Sequence, residues 1–428
     1  MMTADPSARH SSVGSATAEV AALVDDVAPR PVLVVGSLPP EARDLDLLVG
    51  PDQEAVIAGA LRRAGFVVDG ERWARFAELS ATEVELLPVA GLGIAASEVE
   101  SLFAESMPLP SFERLAEPAT HHRILLGATQ LLGRSGYIAS RHRERLLRIT
   151  EEHPRAWAEA EARAAEWAAE ERLARLARAL AGQPPPPHTR AVALLRRVRA
   201  TLRPQVIALS GIDGSGKSLQ ARVLAETLER LGHPAAVIWA PLANEAWLDR
   251  LARPVKRVLR LVPGLSPPAA VAEPGRREPA SNPGRVLRHR SRILTSAWAT
   301  LVAVANGWSL GRDVLRHGWE GRVIVADRYH LDSIVRMRFL YDEHREFRLQ
   351  RLIVAALSPR PRHAFLLDVD PATSLARKDD GWSPQELAVQ ARIYREEHGA
   401  HATVRLDGSR PPAELCGEIA ERVWRGLR

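Results

Sequence analysis

Val206-Ile207-Ala208-Leu209-Ser210-Gly211-Ile212-Asp213-Gly214-Ser215-Gly216-Lys217-Ser218 decides the reading of the C-terminal half of this 428-residue chain. Val206 to Leu209 is a short apolar run of the kind a buried strand needs, and Leu219, Val223, Leu224 and Leu228 then recur at helical spacing. Between them, Gly211 to Ser218 satisfies G-x-x-x-x-G-K-[ST] in the strand–loop–helix context that gives this pattern its meaning. The glycines let backbone N–H groups converge on a phosphate placed at a positive helix N-terminus. Lys217 would bridge the β- and γ-phosphates, and the Ser218 hydroxyl would ligate Mg²⁺. Gly211, Asp213, Gly214, Ser215, Gly216, Lys217 and Ser218 are therefore the expected residues for binding ATP with Mg²⁺.

Outward from this loop, Ala236–Trp239, Val323–Ala326 and Phe365–Leu367 are further apolar runs, with Val404–Leu406 as a fifth. Near-continuous apolar strands separated by helical patterns predict a parallel sheet covered on both faces by helices. Asp327 and Arg328 follow directly on one of these runs. Ligands of such sheets bind at the carboxyl ends of the strands, which would bring Asp327 near the loop as support for the metal or its waters. Arg328 could clamp a phosphate bidentately.

The N-terminal half reads as α+β, with strands at Pro31–Val35, Leu45–Val49, Phe66–Val68 and Glu83–Val89 followed by helices. Arg155–Leu180, rich in Ala, Glu and Arg, predicts one long helix closed by Gly182. Gln183 and Pro184–Pro187 then form an extended spacer, after which Val192, Leu195, Val198 and Leu202 outline a short amphipathic lead-in. The expected domains are 1–150, a helical and Pro-rich segment 151–190, and 191–428. The Pro-rich stretch Val262–Arg285 reads as a surface insertion.

Apolar content of 46% with 26% charged residues excludes wholesale disorder. The single cysteine, Cys416, excludes an internal disulfide framework and a cysteine-based zinc site. No apolar core follows Met1-Met2-Thr3-Ala4-Asp5, and the charge-free run Ile293–Gly311 is polar enough to read as a buried helix instead of a membrane span. A cytoplasmic protein without a membrane partner is expected. Residues 1–200 carry 23 basic and 27 acidic side chains, whereas residues 201–428 carry 35 and 25. A basic C-terminal half suits small phosphorylated ligands, among other anions. Nucleic acid is not an expected partner, because the ten tryptophans lack interleaved basic residues. His121-His122 and the Arg141–Arg148 cluster read as a solvated helix face.

The loop Gly211–Ser218, taken with Asp327-Arg328-Tyr329 and Ser333, resembles thymidylate kinase. So does Leu366-Leu367-Asp368-Val369-Asp370-Pro371 leading to Leu375 and Arg377, where that family places its lid. The resemblance covers about residues 203–428 and implies a P-loop kinase that moves the γ-phosphoryl of ATP to a nucleoside monophosphate, dTMP by default, or a related phosphorylated acceptor. It also implies that Asp327 and Arg328 hold the acceptor side and that Arg377, with Lys378 beside it, reaches over the transferring phosphoryl. Thymidylate kinases are commonly dimers, so a homodimer is one expectation. Two departures bear on the acceptor. Ala240-Pro241-Leu242-Ala243-Asn244 stands where the family has Arg-Glu-Pro-Gly-Gly, and Arg336-Met337-Arg338 replaces its Ala-Tyr-Gln. The two arginines would suit a more negatively charged acceptor or serve as surface charges.

Val34-Val35-Gly36-Ser37 followed by Arg43-Asp44-Leu45-Asp46-Leu47 resembles the nucleotidyltransferase superfamily that includes DNA polymerase β, over roughly residues 20–150. Alternation along a strand puts Asp44 and Asp46 on one face, where two carboxylates can hold Mg²⁺ against a triphosphate. Glu83 and Glu85 are candidates for a third carboxylate, Glu85 the favoured one. Two further functions remain open. Nucleotidyl transfer could occur at Asp44 and Asp46 with the P-loop domain as regulator, or the chain could be a non-enzymatic, ATP-gated or nucleic-acid-binding regulator.

Overall fold

The computed structural model describes residues 6–427 apart from 40–41, 43, 78–79, 132–137, 139, 184–186, 240–291 and 379–380. Arg43, most of the four-proline spacer, Ala240–Asn244 and the Val262–Arg285 stretch thus lie outside the described residues. The chain divides into two compact units, Met1–Phe76 with Ala81–Arg196, and Ala77–Ser80 with Arg197–Arg428. No described helix is long and apolar enough to cross a membrane.

Among the described residues, the first unit is built on a seven-stranded mixed sheet. Its strands are β1 (Val32–Val34), β2 (Asp44–Val49), β3 (Val67–Asp69), β4 (Arg72–Ala77), β5 (Ser80–Pro88), β6 (Met107–Pro108) and β7 (Leu115–Glu117), in the order β3-β4-β5-β2-β1-β7-β6. Alternation in β2 sorts its side chains. Leu45, Leu47 and Val49 join the core with Val20 and Val24 of helix α1 (Pro6–Val27) and Ile57 and Leu61 of α2 (Pro51–Arg63). Leu48 faces the second core, with Leu102 of α3 (Ala96–Ala104) and Ile124 of α4 (Thr120–Leu126). Asp44 and Asp46 share the parity of Leu48 and therefore its side of the sheet.

Helices α5 (Ser140–Glu152), α6 (Arg155–Arg163) and α7 (Glu170–Leu180) complete this core. The single long helix expected over 155–180 is interrupted. Ala168 takes a left-handed φ of 45°, and the Ala169 N–H returns to the Ala164 carbonyl at 2.9 Å. The break lets Trp167 enter the core, with its indole donating to Glu98 at 2.8 Å, while Leu173, Leu176 and Leu180 still pack inward. Burial of that large ring outweighs the ~1 kcal/mol expected for one left-handed alanine. Gly182 closes α7 as expected. With φ of 73°, it gives N–H bonds from Gly182 to Ala179 and from Gln183 to Arg178, the pattern of a Schellman cap. Pro187 opens α8 (Pro187–Leu202), in which Leu195 and Leu202 are exposed.

Among the described residues, the second unit carries five parallel strands, β8 (Val206–Ser210), β9 (Ala235–Trp239), β10 (Val323–Asp327), β11 (His363–Asp368) and β12 (Val404–Asp407), in the order β12-β11-β8-β10-β9. Every residue of β8 and β10 is buried, which explains their unbroken apolar sequences. The chain leaves β8 toward β9 on one side and later returns to place β11 on the other. The carboxyl end of β8 is therefore the crevice where such sheets bind ligands. Around the sheet lie α9 (Lys217–Arg230), α10 (Arg292–Trp319), α11 (His330–Tyr341), α12 (Arg348–Leu357), α13 (Pro371–Arg377), α14 (Pro384–Glu397) and α15 (Pro412–Gly426). Ile293–Gly311 is helical as expected but only half buried. Ala299, Ala303, Gly307 and Gly311 recur every fourth residue, and the two glycines let α10 press against Leu357 of α12, while Ile293 and Trp308 stay exposed.

Candidate functional site

The site grows from the turn between β8 and α9. Gly211, Gly214 and Gly216 all take positive φ, of 147°, 81° and 91°. A Cβ on Gly211 would lie 2.6 Å from the Leu367 carbonyl oxygen, and one on Gly214 would lie 2.5 Å from that of Ser374. Only glycine fits at these two places. Nothing stands near the Cβ position of Gly216, so the loop is open there. Lys217 begins α9 almost wholly buried, and its ammonium group donates to the Ile212 carbonyl at 2.6 Å and contacts Ser215 Oγ at 3.3 Å. Burial, reinforced by the Arg328 guanidinium, pushes its pKa down to about 8 against the pull of Asp213, Asp332 and Asp327.

Parallel pairing brings Asp327, the last residue of β10, opposite Leu209 of β8. Its Oδ2 accepts from the Ser218 hydroxyl, whereas Oδ1 is buried without a hydrogen-bond partner. An unsatisfied carboxylate oxygen beside a hydroxyl at a helix N-terminus fits a hard divalent cation or one of its waters. Next in sequence, Arg328 adopts a left-handed φ of 78°. Its N–H bonds the Leu209 carbonyl at 3.0 Å, and its guanidinium pairs with Asp213 in the loop and lies 3.8 Å from Asp332. A strained, non-glycine residue held this way stores conformational energy of order 1–3 kcal/mol at the site.

A cleft opens beside Arg328, lined also by Asp213, Asp332, Arg336, Phe339, Trp382, Gln390 and Tyr394. Phe339 and Trp382 meet edge to face with centroids 5.8 Å apart, and the Trp382 indole donates to Asp213 Oδ2 at 3.1 Å. Asp332, buried, accepts from the Ser210 hydroxyl at 2.6 Å, the Tyr394 hydroxyl at 2.7 Å and the Tyr329 N–H at 3.0 Å. This one carboxylate ties β8, α11 and α14 together behind the loop. Sequence reasoning missed Asp332, Phe339, Trp382, Gln390 and Tyr394. The only available signal was the placement of Asp332, four residues after Arg328 on a helix that starts at the sheet's carboxyl edge.

The expected residues fall into two groups. Gly211, Asp213, Gly214, Ser215, Gly216, Lys217, Ser218, Asp327 and Arg328 converge. Arg377 ends α13 and donates to the Gly408 and Ser409 carbonyls at 2.8 and 3.4 Å, which engage its guanidinium at the loop after β12. From the same helix it is Ser374 that meets the phosphate-loop backbone, bonding to the Asp213 carbonyl. The two arginines of 336–338 separate. Arg336 lines the cleft, whereas Arg338 is bound by the Glu343 carbonyl, Glu396 and Glu397.

In the first unit, β2 and β5 run parallel with Asp44 opposite Glu83 and Asp46 opposite Glu85. All four carboxylates therefore share one face. Burial pushes the Glu83 carboxyl up to about 7, although Arg72 pairs with it, and burial raises Glu85 as well. Gly36 lies against Asp46, since a Cβ there would come within 2.5 Å of its Oδ2. Asp46 also borders a cavity with Arg123, Gln130 and Arg145. The Arg141–Arg148 cluster is thus partly inward: Arg145 lines this cavity and Arg143 caps α7 by donating to the Leu180 carbonyl at 2.6 Å. His121 and His122 are buried, not solvated, because α4 turns them against α3 and α6.

No family model matches the chain. Among known proteins it is similar to a probable thymidylate kinase of Pyrococcus horikoshii, 30% identical over 177 residues, which are 41% of this chain and 70% of that protein. A probable thymidylate kinase of Pyrococcus abyssi is 28% identical over 177 residues, with the same coverage. The thymidylate kinase of Symbiobacterium thermophilum is 26% identical over 224 residues, 52% of this chain and 90% of that protein. The parallel sheet, the phosphate loop and these relatives agree on a nucleotide-kinase-like phosphotransferase. The chain belongs to the thymidylate kinase family.

Proposed function

We propose that the C-terminal unit transfers the γ-phosphoryl of ATP to the phosphate of a nucleoside monophosphate, with dTMP the default acceptor. The observation that carries this reading is the meeting of Lys217, Ser218, Asp327 and Arg328 at the carboxyl ends of β8 and β10, beside a cleft with an aromatic wall. ATP would seat its phosphates on the loop amides. Lys217 would exchange its bond to the Ile212 carbonyl for the β- and γ-oxygens. Ser218 and Asp327 would hold Mg²⁺, which supplies charge neutralisation on the phosphate oxygens. Arg328, released from Asp213, would draw in the acceptor phosphate. Its oxygen attacks the γ-phosphorus as the bond to ADP breaks. Phe339 and Trp382, set edge to face, offer an aromatic corner against which a base could pack, and Arg336 and Gln390 offer donors beside it.

ADP release from ATP with Mg²⁺, measured against a panel of nucleoside monophosphates, nucleosides and sugar phosphates, tests this. Turnover with a monophosphate that vanishes in Lys217→Ala is the expected result. Undiminished turnover in that variant overturns the reading. A second reading rests on the register that sets Asp44 and Asp46 beside Glu83 and Glu85: the first unit would transfer a nucleotidyl group from an NTP at a Mg²⁺ site of these carboxylates. Label transfer from α-labelled NTP, abolished in the double variant Asp44→Asn with Asp46→Asn, is its test, and an unchanged signal refutes it.

A further inference from the structure

The geometry points to a transition-metal site in the first unit, formed by Glu105, His121 and His122, for a divalent ion of the zinc type. Among the described residues this is the one group of three or more His, Cys, Asp or Glu whose ligand atoms all lie within 4.8 Å of one another. The two histidines are adjacent on α4, and Glu105 follows directly on α3. His121 Nε2 stands 3.3 Å from Glu105 Oε2. Tetrahedral zinc, with bonds of about 2.0–2.2 Å to nitrogen and oxygen, separates neighbouring ligand atoms by about 3.3 Å. The spacing is that of two ligands sharing an ion and is long for a hydrogen bond.

The second observation is the state of the imidazoles. His122 is fully buried, yet its Nδ1 has no partner and its Nε2 has only an Arg163 nitrogen at 3.4 Å. His121 is nearly as buried; its Nε2 has no hydrogen bond, and its Nδ1 lies 3.4 Å from Glu159. Buried ring nitrogens without a normal-length partner are costly, and a bound ion removes that cost.

The surroundings suit a dication. Arg163 donates to Glu105 Oε1 at 2.8 Å, fixing that carboxylate while Oε2 faces His121, the orienting contact that metal ligands ordinarily have. Glu105 and Glu159 against Arg163 leave one net negative charge at this cluster, and Glu98 offsets Arg163 from 3.6 Å. The histidines come from α4 and Glu105 from the residue that follows α3, so an ion would pin the end of α3 to α4.

The test uses the full-length chain, stripped by chelator and then titrated with Zn²⁺, and separately with Co²⁺, in excess Mg²⁺ to fill oxygen-only sites. One Zn²⁺ per chain is expected, together with the intense visible absorption of four-coordinate Co²⁺. Glu105→Gln and His121→Gln should each weaken Zn²⁺ binding at least about tenfold while the metal-free melting temperature holds. Absence of Zn²⁺ uptake, a weak six-coordinate Co²⁺ spectrum, or uptake equally tight in both variants overturns the site. Should a variant fail to fold, the Co²⁺ spectrum of the unmodified protein decides alone.

Discussion

Lys217 shows how one buried cation can be both a cost and a tool. Its ammonium group is held away from water by a carbonyl and a hydroxyl, and burial together with Arg328 depresses its pKa to about 8. Phosphate oxygens favour the protonated form, so nucleotide binding should raise that pKa and take up a proton wherever the free protein has lost it. ATP affinity is then expected to be flat below about pH 8 and to fall by up to about tenfold per unit above it. Calorimetric titration between roughly pH 7 and 9.5, in buffers of different ionisation enthalpy, reads both the slope and the proton uptake; a flat profile contradicts the assignment. Asp332 is the complementary case, a buried anion whose worth is positional. Tyr394→Phe removes one of its hydrogen bonds and should cost about 1–3 kcal/mol in urea unfolding. An effect within a few tenths would mean that the carboxylate is satisfied without it. The phosphate loop was legible because all its residues are contiguous. Asp332, Trp382 and Tyr394 were not, since their partners lie 62 to 169 residues away and no local pattern encodes that meeting.

At the scale of elements, strands announced themselves where both faces are covered, as in β8 and β10. The sequence was silent on β4, whose arginines at 72 and 75 break the apolar pattern, and on the two-residue β6. The interruption near Ala168 was hidden for a different reason. Ala, Glu and Arg favour helix at every position, and the break is imposed by the destination of Trp167. Helix α10 shows the reverse error. A charge-free sequence suggested burial all round, whereas one side is buried, with Gly307 and Gly311 against α12 and Leu310 and Val314 in the core of the sheet, and Ile293, Leu301, Val304 and Trp308 are exposed. A Cβ on Gly311 would lie 2.1 Å from the Leu357 carbonyl, a backbone atom that can yield only by moving the helix. Gly311→Ala should therefore destabilise by about 1–3 kcal/mol, despite the gain of roughly 1 kcal/mol expected for alanine in an open helix. Chemical denaturation decides the sign, and a stabilised variant would show that the two helices are free to part.

At the scale of the molecule, each unit has its own core, and the charge is divided between them. Residues 201–428 hold ten more basic than acidic groups, and residues 1–200 hold four fewer. A basic half with a phosphate loop attracts anionic nucleotides, and ligand binding stabilises only the structure that holds the ligand. Calorimetry of the full chain should accordingly show two transitions. A non-hydrolysable ATP analogue at about 100 times its dissociation constant adds about 2.7 kcal/mol to the unit that binds it. For a unit of some 230 residues, that is a rise of roughly 5–10 °C in one transition, with the other unmoved. Lys217→Ala should erase the rise without shifting either baseline transition by more than a few degrees. A single transition, or two that climb together with the analogue, would show that the units melt as one and that nucleotide bound at the loop is sensed throughout the chain.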